Sequence, residues 1–158
     1  MPTAAELAQQ AFNKMKLAAP KVGSAPPPGS KGLIGMPVWM WVERSATTWG
    51  PQSATAAAGG LSVTATAKVT GIGWNMGDGH TVNCTSPGTP YSPGFGKKDS
   101  PDCGYRYTKV PAGGEYSITA TTTWVVTWTA TNGETGTLPN QTRTAQTTAR
   151  VGELQVVN

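Results

Sequence analysis

Trp74-Asn75-Met76-Gly77-Asp78-Gly79-His80 gives the strongest structural signal in this chain. Ile72, Trp74 and Met76 alternate with small or polar residues, which is typical of a strand with one buried face. An Asp-Gly pair then separates this strand from a second short run that ends at Cys84, and such a pair is a strong hairpin signal. The stretch therefore predicts a strand that buries a tryptophan and then turns back tightly on itself.

Longer alternating runs predict the rest of an antiparallel sheet. Residues 35–43 form the first predicted strand, in which Trp39 and Trp41 point to the same side. Residues 61–70 alternate small apolar side chains with Ser, Thr or Lys, as a half-buried strand does. The run 115–131 is mostly apolar at its even positions and mostly Thr at its odd positions, so it predicts one more strand of this kind.

The run 115–131 is unusually long for a single strand. At about 3.4 Å per residue it would extend roughly 55 Å, whereas an ordinary strand spans about 20 Å. A turn at Asn132-Gly133-Glu134 and a returning strand over 135–150 follow it. Together they predict a long β-hairpin that overhangs the rest of the fold, and residues 151–157 are predicted to form a closing strand.

The chain divides into three predicted parts. Residues 1–19 have the apolar spacing of an amphipathic helix, with Thr3 and Glu6 placed as in a capping box. The apolar face of this helix could dock on the same domain or on a partner chain, and the sequence is compatible with both. Residues 20–34 are rich in Pro and Gly and predict a semi-rigid linker, and residues 35–158 form the predicted β-domain.

The composition narrows the classes of partner. Charged residues make up 13% of the chain, the net charge is +4, and the basic residues are too scattered to predict nucleic-acid binding. No apolar run of about 20 residues occurs, so no membrane span is predicted. Residues 1–19 lack the basic-then-apolar pattern of a signal peptide, so the leader of an exported protein is expected to lie outside this sequence.

The cysteines indicate a compartment. Cys84 and Cys103 are the only two, and they bound the loop 85–102. A disulfide between them would tie down a loop of this length and would indicate a secreted or cell-envelope protein. Two free thiols in a cytosolic protein are the alternative.

The residues that catalysis requires are scarce, and we predict that the protein is not an enzyme. His80 is the only histidine, and the sequence has no G-x-S-x-G motif around a serine. The turn explains Asp78, whereas Asp99 and Asp102 share one loop that is too poor in acids for a good calcium site. No metal ion or cofactor is predicted, because the chain has too few Cys and His residues for a zinc site.

Aromatic side chains are the main candidates for binding. The chain has six tryptophans, of which Trp74 is predicted to lie in the core. Trp124 and Trp128 are predicted either to pack against Trp39 or Trp41 or to form an exposed aromatic platform that stacks on sugar rings or anchors a partner. The candidate binding residues are therefore Trp124, Trp128, Trp39, Trp41 and, in the loop 85–102, Tyr91 and Phe95.

Three motifs together resemble the signature of PKD-like domains. They are the Trp74 strand with its Gly77-Asp78-Gly79 turn, the segment Gly104-Tyr105-Arg106-Tyr107-Thr108, and the strand that begins at Gly114-Glu115-Tyr116. The resemblance covers residues 36–157 and implies an Ig-like antiparallel β-sandwich with the tryptophan between its sheets. It gives structural roles to Trp74, Gly77, Asp78, Gly79, Tyr107 and Tyr116, and it implies no catalytic activity.

A second resemblance is to a group of secreted actinobacterial proteins, many of them labelled "ATP/GTP-binding protein". It is carried by Pro37-Val38-Trp39-Met40-Trp41, by residues 76–82, by Ser100–Tyr105 and by residues 151–157. The label finds no support in the residues, because a phosphate-binding loop needs G-x-x-x-x-G-K-[ST] between a strand and a helix. Gly94-Phe95-Gly96-Lys97-Lys98 fails this spacing, so no nucleotide is predicted.

These expectations combine into one functional prediction. The protein is expected to be a non-catalytic, secreted binding or assembly module that acts through protein–protein contacts or self-association at the cell envelope. The alternative is a module that binds polysaccharide or cell wall through exposed Trp and Tyr rings.

Overall fold

The computed structural model describes residues 1–153. Over these residues the chain forms one α-helix, α1 (Ala4–Asn13), and nine strands. The strands are β1 (Val22–Ala25), β2 (Lys31–Leu33), β3 (Val38–Val42), β4 (Gln52–Ala58), β5 (Leu61–Asn75), β6 (Thr81–Cys84), β7 (Gly104–Tyr105), β8 (Glu115–Ala130) and β9 (Thr135–Gly152). The predicted closing strand is represented by the end of β9, and residues 154–157 of it lie outside the described residues.

The strands form two sheets, which confirms the predicted all-β, sandwich-like class. The large sheet has the order β2-β9-β8-β5-β4, and β6 also pairs with β5, beyond the end of β4. The small sheet has the order β1-β3-β7. All pairs are antiparallel except β2 with β9, which run parallel.

The first core lies between the two sheets. Val38, Met40 and Val42 of β3 face the inner side of the large sheet, as their alternation predicts. The large sheet contributes Trp74, which is completely buried, so the central prediction for this residue is confirmed. The disulfide between Cys84 and Cys103 lies in the same cluster.

The second core lies between the same large sheet and α1. Leu7, Ala8 and Ala11 of the helix are fully buried against β4 and β5, which present small side chains such as Ala65 and Ala67. Small residues on both sides let the helix approach the sheet closely. Thr3 caps the helix by accepting a hydrogen bond from the Glu6 N–H at 3.1 Å, so the predicted helix is present and docks on its own chain.

The long strands do not overhang the fold, which corrects the prediction of a projecting hairpin. β8 pairs with β5 from Thr119 to Ala130, and α1 covers the inner face of that half of the sheet. Both β5 and β8 run through the two cores, with a bulge in β5 between Val69 and Gly71. Periodicity predicted the length of β8 correctly. It could not show that α1, and not the small sheet, covers the second half of this strand.

The segment 20–34 also differs from the predicted linker. It contains β1, which pairs with β3, and β2, which pairs with β9, so the segment joins both sheets. Its prolines lie between and beside these short strands, where no ladder hydrogen bond is needed. The segment therefore forms part of the domain surface and places Pro26 and Pro27 beside the loop 85–102.

Candidate functional site

The structure separates the candidate binding residues into three places. Trp124 and Trp128 are 0% and 8% exposed and lie in the second core under α1. Trp49 packs against the same core, whereas Trp39 and Trp41 lie elsewhere. The exposed platform predicted for Trp124 and Trp128 is therefore wrong, and so is their predicted contact with Trp39 or Trp41.

Trp41 lies on the outer face of β3. It is half-buried, and its indole covers Gly23 of β1 so closely that a Cβ at that glycine would collide with the ring. Trp39 points to the same side of β3, as the sequence predicts, but the loop 85–102 covers it until only 2% remains exposed.

Trp39, Tyr91 and Phe95 come together in one aromatic cluster. The Trp39 ring meets Tyr91 edge-on at 5.2 Å between centroids and Phe95 at 4.8 Å with a 34° tilt. The Trp39 Nε1–H donates to the Lys98 carbonyl at 2.8 Å, and the Tyr91 hydroxyl donates to the Gly96 carbonyl at 2.8 Å. The cluster therefore holds the loop in place: Trp39 is buried and Tyr91 half-buried, while Phe95 is 37% exposed.

An apolar groove runs beside this cluster, between the loop and the Pro-rich segment. Its volume is about 380 Å³, and we call it the aromatic groove. One wall is formed by Trp39, Tyr91 and Gly96, and the other by Ala25, Pro26, Pro27, Met36 and Pro37. Lys97 and Lys98 line it as well, and both residues are exposed. The groove thus combines an apolar interior with positive charge.

Three ties fix the loop that forms this wall. The disulfide joins its two ends, with 5.8 Å between the Cα atoms of Cys84 and Cys103, so the predicted pairing is confirmed. Asp102 accepts hydrogen bonds from the hydroxyls of Ser86, Thr89 and Ser100. These contacts satisfy the Asp102 carboxylate within the loop.

The third tie, formed by Asp99 and Arg106, anchors the loop to the Pro-rich side. Asp99 accepts two hydrogen bonds from the Arg106 guanidinium, at 2.9 and 3.1 Å. The same guanidinium donates to the Gly35 carbonyl at 2.6 Å, beside Met36 in the groove wall. Arg106 therefore links the loop to Gly35, and its charge is paired with Asp99.

Close backbone packing and positive φ values shape the Gly77-Asp78-Gly79 turn. Gly77 has φ of +82°, and a Cβ there would collide with the Ser117 carbonyl oxygen of β8. Asp78 accepts the His80 N–H at 3.0 Å, which closes the turn. Gly79 also has a positive φ, of +93°, so two of the three turn positions favour glycine.

Tyrosine side chains connect this turn to the sheets. Tyr107 and Tyr116 stack at 4.3 Å with 7° between their planes, and the Tyr107 hydroxyl donates to the Met76 carbonyl at 2.8 Å. The Tyr105 hydroxyl donates to Asp78 Oδ2 at 2.5 Å. Both predicted tyrosines thus lie beside the Trp74 strand, and Tyr105 joins them.

The pKa values of this cluster follow from these contacts. Burial alone would raise the pKa of Asp78, but hydrogen bonds from the Tyr105 hydroxyl and from the His80 N–H outweigh it and lower the pKa. Burial, together with the hydrogen bond to Asp78, raises the pKa of Tyr105 to about 12. The pair therefore favours a carboxylate and a neutral phenol over the whole neutral range.

Substituting Tyr105 with phenylalanine should raise the pKa of Asp78 and destabilise the fold. The Asp78 side chain is only 9% exposed, and a hydrogen bond to a charged group contributes about 1.5–3 kcal/mol. Because the folded pKa is lowered, this stability is present above the ordinary Asp pKa of about 3.9 and is lost as pH falls through the folded value. The measurement is a chemical denaturation series against pH, with an NMR titration of the carboxyl group.

A matched control is Tyr91→Phe. It removes a hydroxyl that donates to Gly96 and not to Asp78, so the pKa of Asp78 should stay unchanged. Tyr105 has the opposite pH dependence. Because its folded pKa is raised to about 12, its contribution to stability is present below about pH 10 and is lost as pH rises towards 12. An identical Asp78 titration in Tyr105→Phe and in the wild type would contradict this account.

The second exposed feature is the outer edge of β9. β2 pairs with β9 only from Arg150 to Gly152, so β9 has a neighbour on one side only before Arg150. Nearer the hairpin turn, Pro139 and a bulge opposite Val125 interrupt this edge, and the Arg143 guanidinium donates to the Thr142 carbonyl at 2.8 Å. Residues 144–149 remain, and we call them the free edge.

The direction of the backbone groups on the free edge follows from the ladder. Ala130 of β8 donates its N–H to Glu134, so even-numbered residues of β8 bond towards β9. Their partners on this part of β9 are odd-numbered, as in Ala120 with Ala145. The N–H and C=O groups of Thr144, Gln146 and Thr148 therefore point outward, away from β8.

Sequence reasoning named Tyr91, Phe95 and Trp39 but missed the opposite wall of the aromatic groove. The sequence predicts a linker that includes Pro26 and Pro27 and ends just before Met36, because a Pro-rich segment carries no periodic signal. Lys97 and Lys98 enter the sequence-based prediction only as part of a segment that fails the phosphate-loop spacing. Clustering of prolines on both sides of the first tryptophan strand was the available signal.

Within residues 1–153 no group of three or more His, Cys, Asp or Glu side chains is placed to hold a metal ion. The described helix is too short and too polar to cross a membrane. The chain matches no known protein family, no curated protein and no solved structure.

Proposed function

We propose that this protein is a non-catalytic, exported binding and assembly module of PKD-like type that acts through protein–protein contacts at the cell envelope. The free edge of β9 is the observation that carries the proposal. An unpaired strand edge offers backbone donors and acceptors to a further strand, which is the basis of β-augmentation. The disulfide supports export, since such bonds persist in oxidising compartments.

Burial of the tryptophans favours protein contacts over polysaccharide binding. Sugar platforms need exposed aromatic faces, and Trp74, Trp124 and Trp39 are at most 2% exposed. Trp41 and Trp49 are half-buried and lie in different places: Trp41 covers Gly23, and Trp49 packs against both cores. They form no contiguous row along which a glycan chain could stack.

The occupant that fits the free edge is the same edge of a second copy. If two copies pair in antiparallel fashion about a two-fold axis at Gln146, Thr144 of one copy lies opposite Thr148 of the other. Cross-strand hydroxyl pairs already stabilise this sheet, as between Thr121 and Thr144 at 3.2 Å and between Thr55 and Thr64 at 3.0 Å. The edge is therefore self-complementary in hydrogen bonding and in side-chain type.

The charges near the edge are compatible with this pairing. Arg143 shares the inner face with buried Thr122, whereas Arg150 shares the outer face with exposed Glu115. In the antiparallel arrangement the two arginines of opposite copies would thus lie on opposite faces of the joined sheet. β2 occupies the edge beyond Arg150 and limits the pairing to the free edge.

Substituting Thr144 with proline should convert a dimer into a monomer without unfolding it. Its N–H points outward, so proline removes a donor from the intermolecular ladder and none from the intramolecular one. We expect association to weaken at least about tenfold, equivalent to about 1.4 kcal/mol. Sedimentation velocity over a range of concentrations measures the association, and thermal unfolding checks the fold.

Three variants complete the experiment. Thr144→Ala keeps the N–H and should still dimerise, whereas Ala145→Pro removes an N–H that faces β8 and should destabilise the monomer itself. Gln146→Pro serves as a second edge variant should the first fail to fold. A wild type that stays monomeric at every concentration, or a Thr144→Pro variant that still dimerises, would show that the second copy is not the occupant.

A further inference from the structure

The aromatic groove is a second surface, separate from the free edge of β9. It lies between the loop 85–102 and the Pro-rich segment, and both of its walls are anchored. Anchored walls need little reordering when a ligand enters, which lowers the entropic cost of binding. Its interior is lined by Met36, by prolines and by ring edges, and such surfaces bury apolar side chains.

The polar groups of the groove decide which ligand it suits. The Trp39 indole N–H and the Tyr91 hydroxyl are occupied by the carbonyls of Lys98 and Gly96. The Trp39 ring packs against Phe95 with a 34° tilt and is only 2% exposed, whereas the 37% exposed Phe95 does not line the groove. Inside the groove a sugar ring would therefore find neither a free indole N–H nor a free phenol hydroxyl beside an aromatic face.

Positive charge at the groove is unpaired by acidic side chains within the described part of the chain. Lys97 and Lys98 form no ion pair there, whereas the nearest acid in sequence, Asp99, is engaged by Arg106. Both lysines are exposed and can reach a ligand along the groove. Charge complementarity thus favours a ligand that presents a carboxylate beside an apolar group.

We propose that the aromatic groove binds an extended peptide segment of another protein in which an apolar side chain lies next to Asp or Glu. The apolar side chain enters between Met36 and Tyr91, and the carboxylate lies at Lys97 and Lys98. The flexible Met36 side chain adapts to the shape of the inserted group. This site uses none of the backbone groups on the free edge, so it is independent of assembly through β9.

A bead-displayed library of random octapeptides tests the proposal. Full-length wild-type protein should enrich peptides with Asp or Glu within two residues of Leu, Met or Phe. The double variant Lys97→Glu/Lys98→Glu should bind the enriched peptides about tenfold more weakly, as expected for the loss of two exposed ion pairs and their replacement by repulsion. It should instead enrich peptides with Lys or Arg.

The control is Lys68→Glu/Lys109→Glu, which makes the same change of charge at two exposed lysines that do not line the groove. This control should keep the wild-type peptide preference and affinity. In an NMR titration of the wild type with the most enriched peptide, the Trp39 indole N–H resonance should shift, because its acceptor belongs to Lys98. Absence of enrichment, an unchanged preference in Lys97→Glu/Lys98→Glu, or an unshifted Trp39 resonance would each overturn the proposal.

Discussion

Replacing Trp124 with alanine is expected to lower the free energy of unfolding by about 3–5 kcal/mol, as truncation of a buried aromatic residue does. The ring is 0% exposed and belongs to the second core, which lies between the large sheet and α1. Its removal leaves a cavity, because the structure around a buried side chain relaxes only partly. Urea denaturation followed by circular dichroism measures the loss.

Thr123→Ala is the matched control, since the adjacent side chain points to the outer face of the same strand and should change stability by less than about 0.5 kcal/mol. Trp124→Phe provides a graded test. The buried Trp124 Nε1 has no hydrogen-bond partner among the described residues, so phenylalanine removes an unsatisfied donor and should cost clearly less than alanine. Stability within about 1 kcal/mol of wild type in Trp124→Ala would instead indicate an exposed ring.

Removing the disulfide with Cys84→Ser/Cys103→Ser is expected to cost about 3 kcal/mol on the chain-entropy account for a loop of this length. The two cysteines are 19 residues apart and belong to the first core, so the serine hydroxyls would add a burial cost. The loop carries Tyr91 and Phe95, and its release should also uncover Trp39. Denaturation gives the stability, and the Trp39 indole resonance reports the state of the loop.

Two comparisons make this result specific. Reduction of the wild type should produce the same loss, and Cys84→Ala/Cys103→Ala should separate the missing bond from the buried hydroxyls. The remaining ties, Asp102 with its three hydroxyl donors and Asp99 with Arg106, are expected to keep part of the loop in place. Equal stability of the oxidised and reduced protein would show that these polar ties alone fix the loop.

The strands that carry strong alternation were predictable from the sequence. The patterns around Trp74 and along residues 115–131 correctly indicated which side chains of β5 and β8 are buried. Alternation reports that a face is covered, but it carries no information about what covers it. For this reason Trp124 and Trp128 were compatible with two interpretations, and the helix that covers them was predicted without its location.

The weaker strands and the groove were beyond the reach of local patterns. β4 is mostly Ala, Ser and Thr, which have no strong apolar period, and β1 and β2 lie in a segment with the composition of a linker. The aromatic groove joins residues that are about sixty positions apart in the chain, such as Met36 and Lys97. The pairing of β1 with β3 places Ala25 beside Trp39, and the loop packs on Trp39 through Tyr91, so the groove is formed by tertiary contacts.

β5 and β8 run through both cores, and this arrangement determines how the domain unfolds. The helix-covered part and the sandwich part are not separate units, because β5 and β8 contribute side chains to both cores. Thr122, completely buried on β8 where the cores meet, ties this strand to β9 through the Arg143 carbonyl. Detachment of α1 would expose hydrophobic surface on strands that also carry Trp74. Loss of either core should therefore destabilise the other, and the domain should unfold as one cooperative unit.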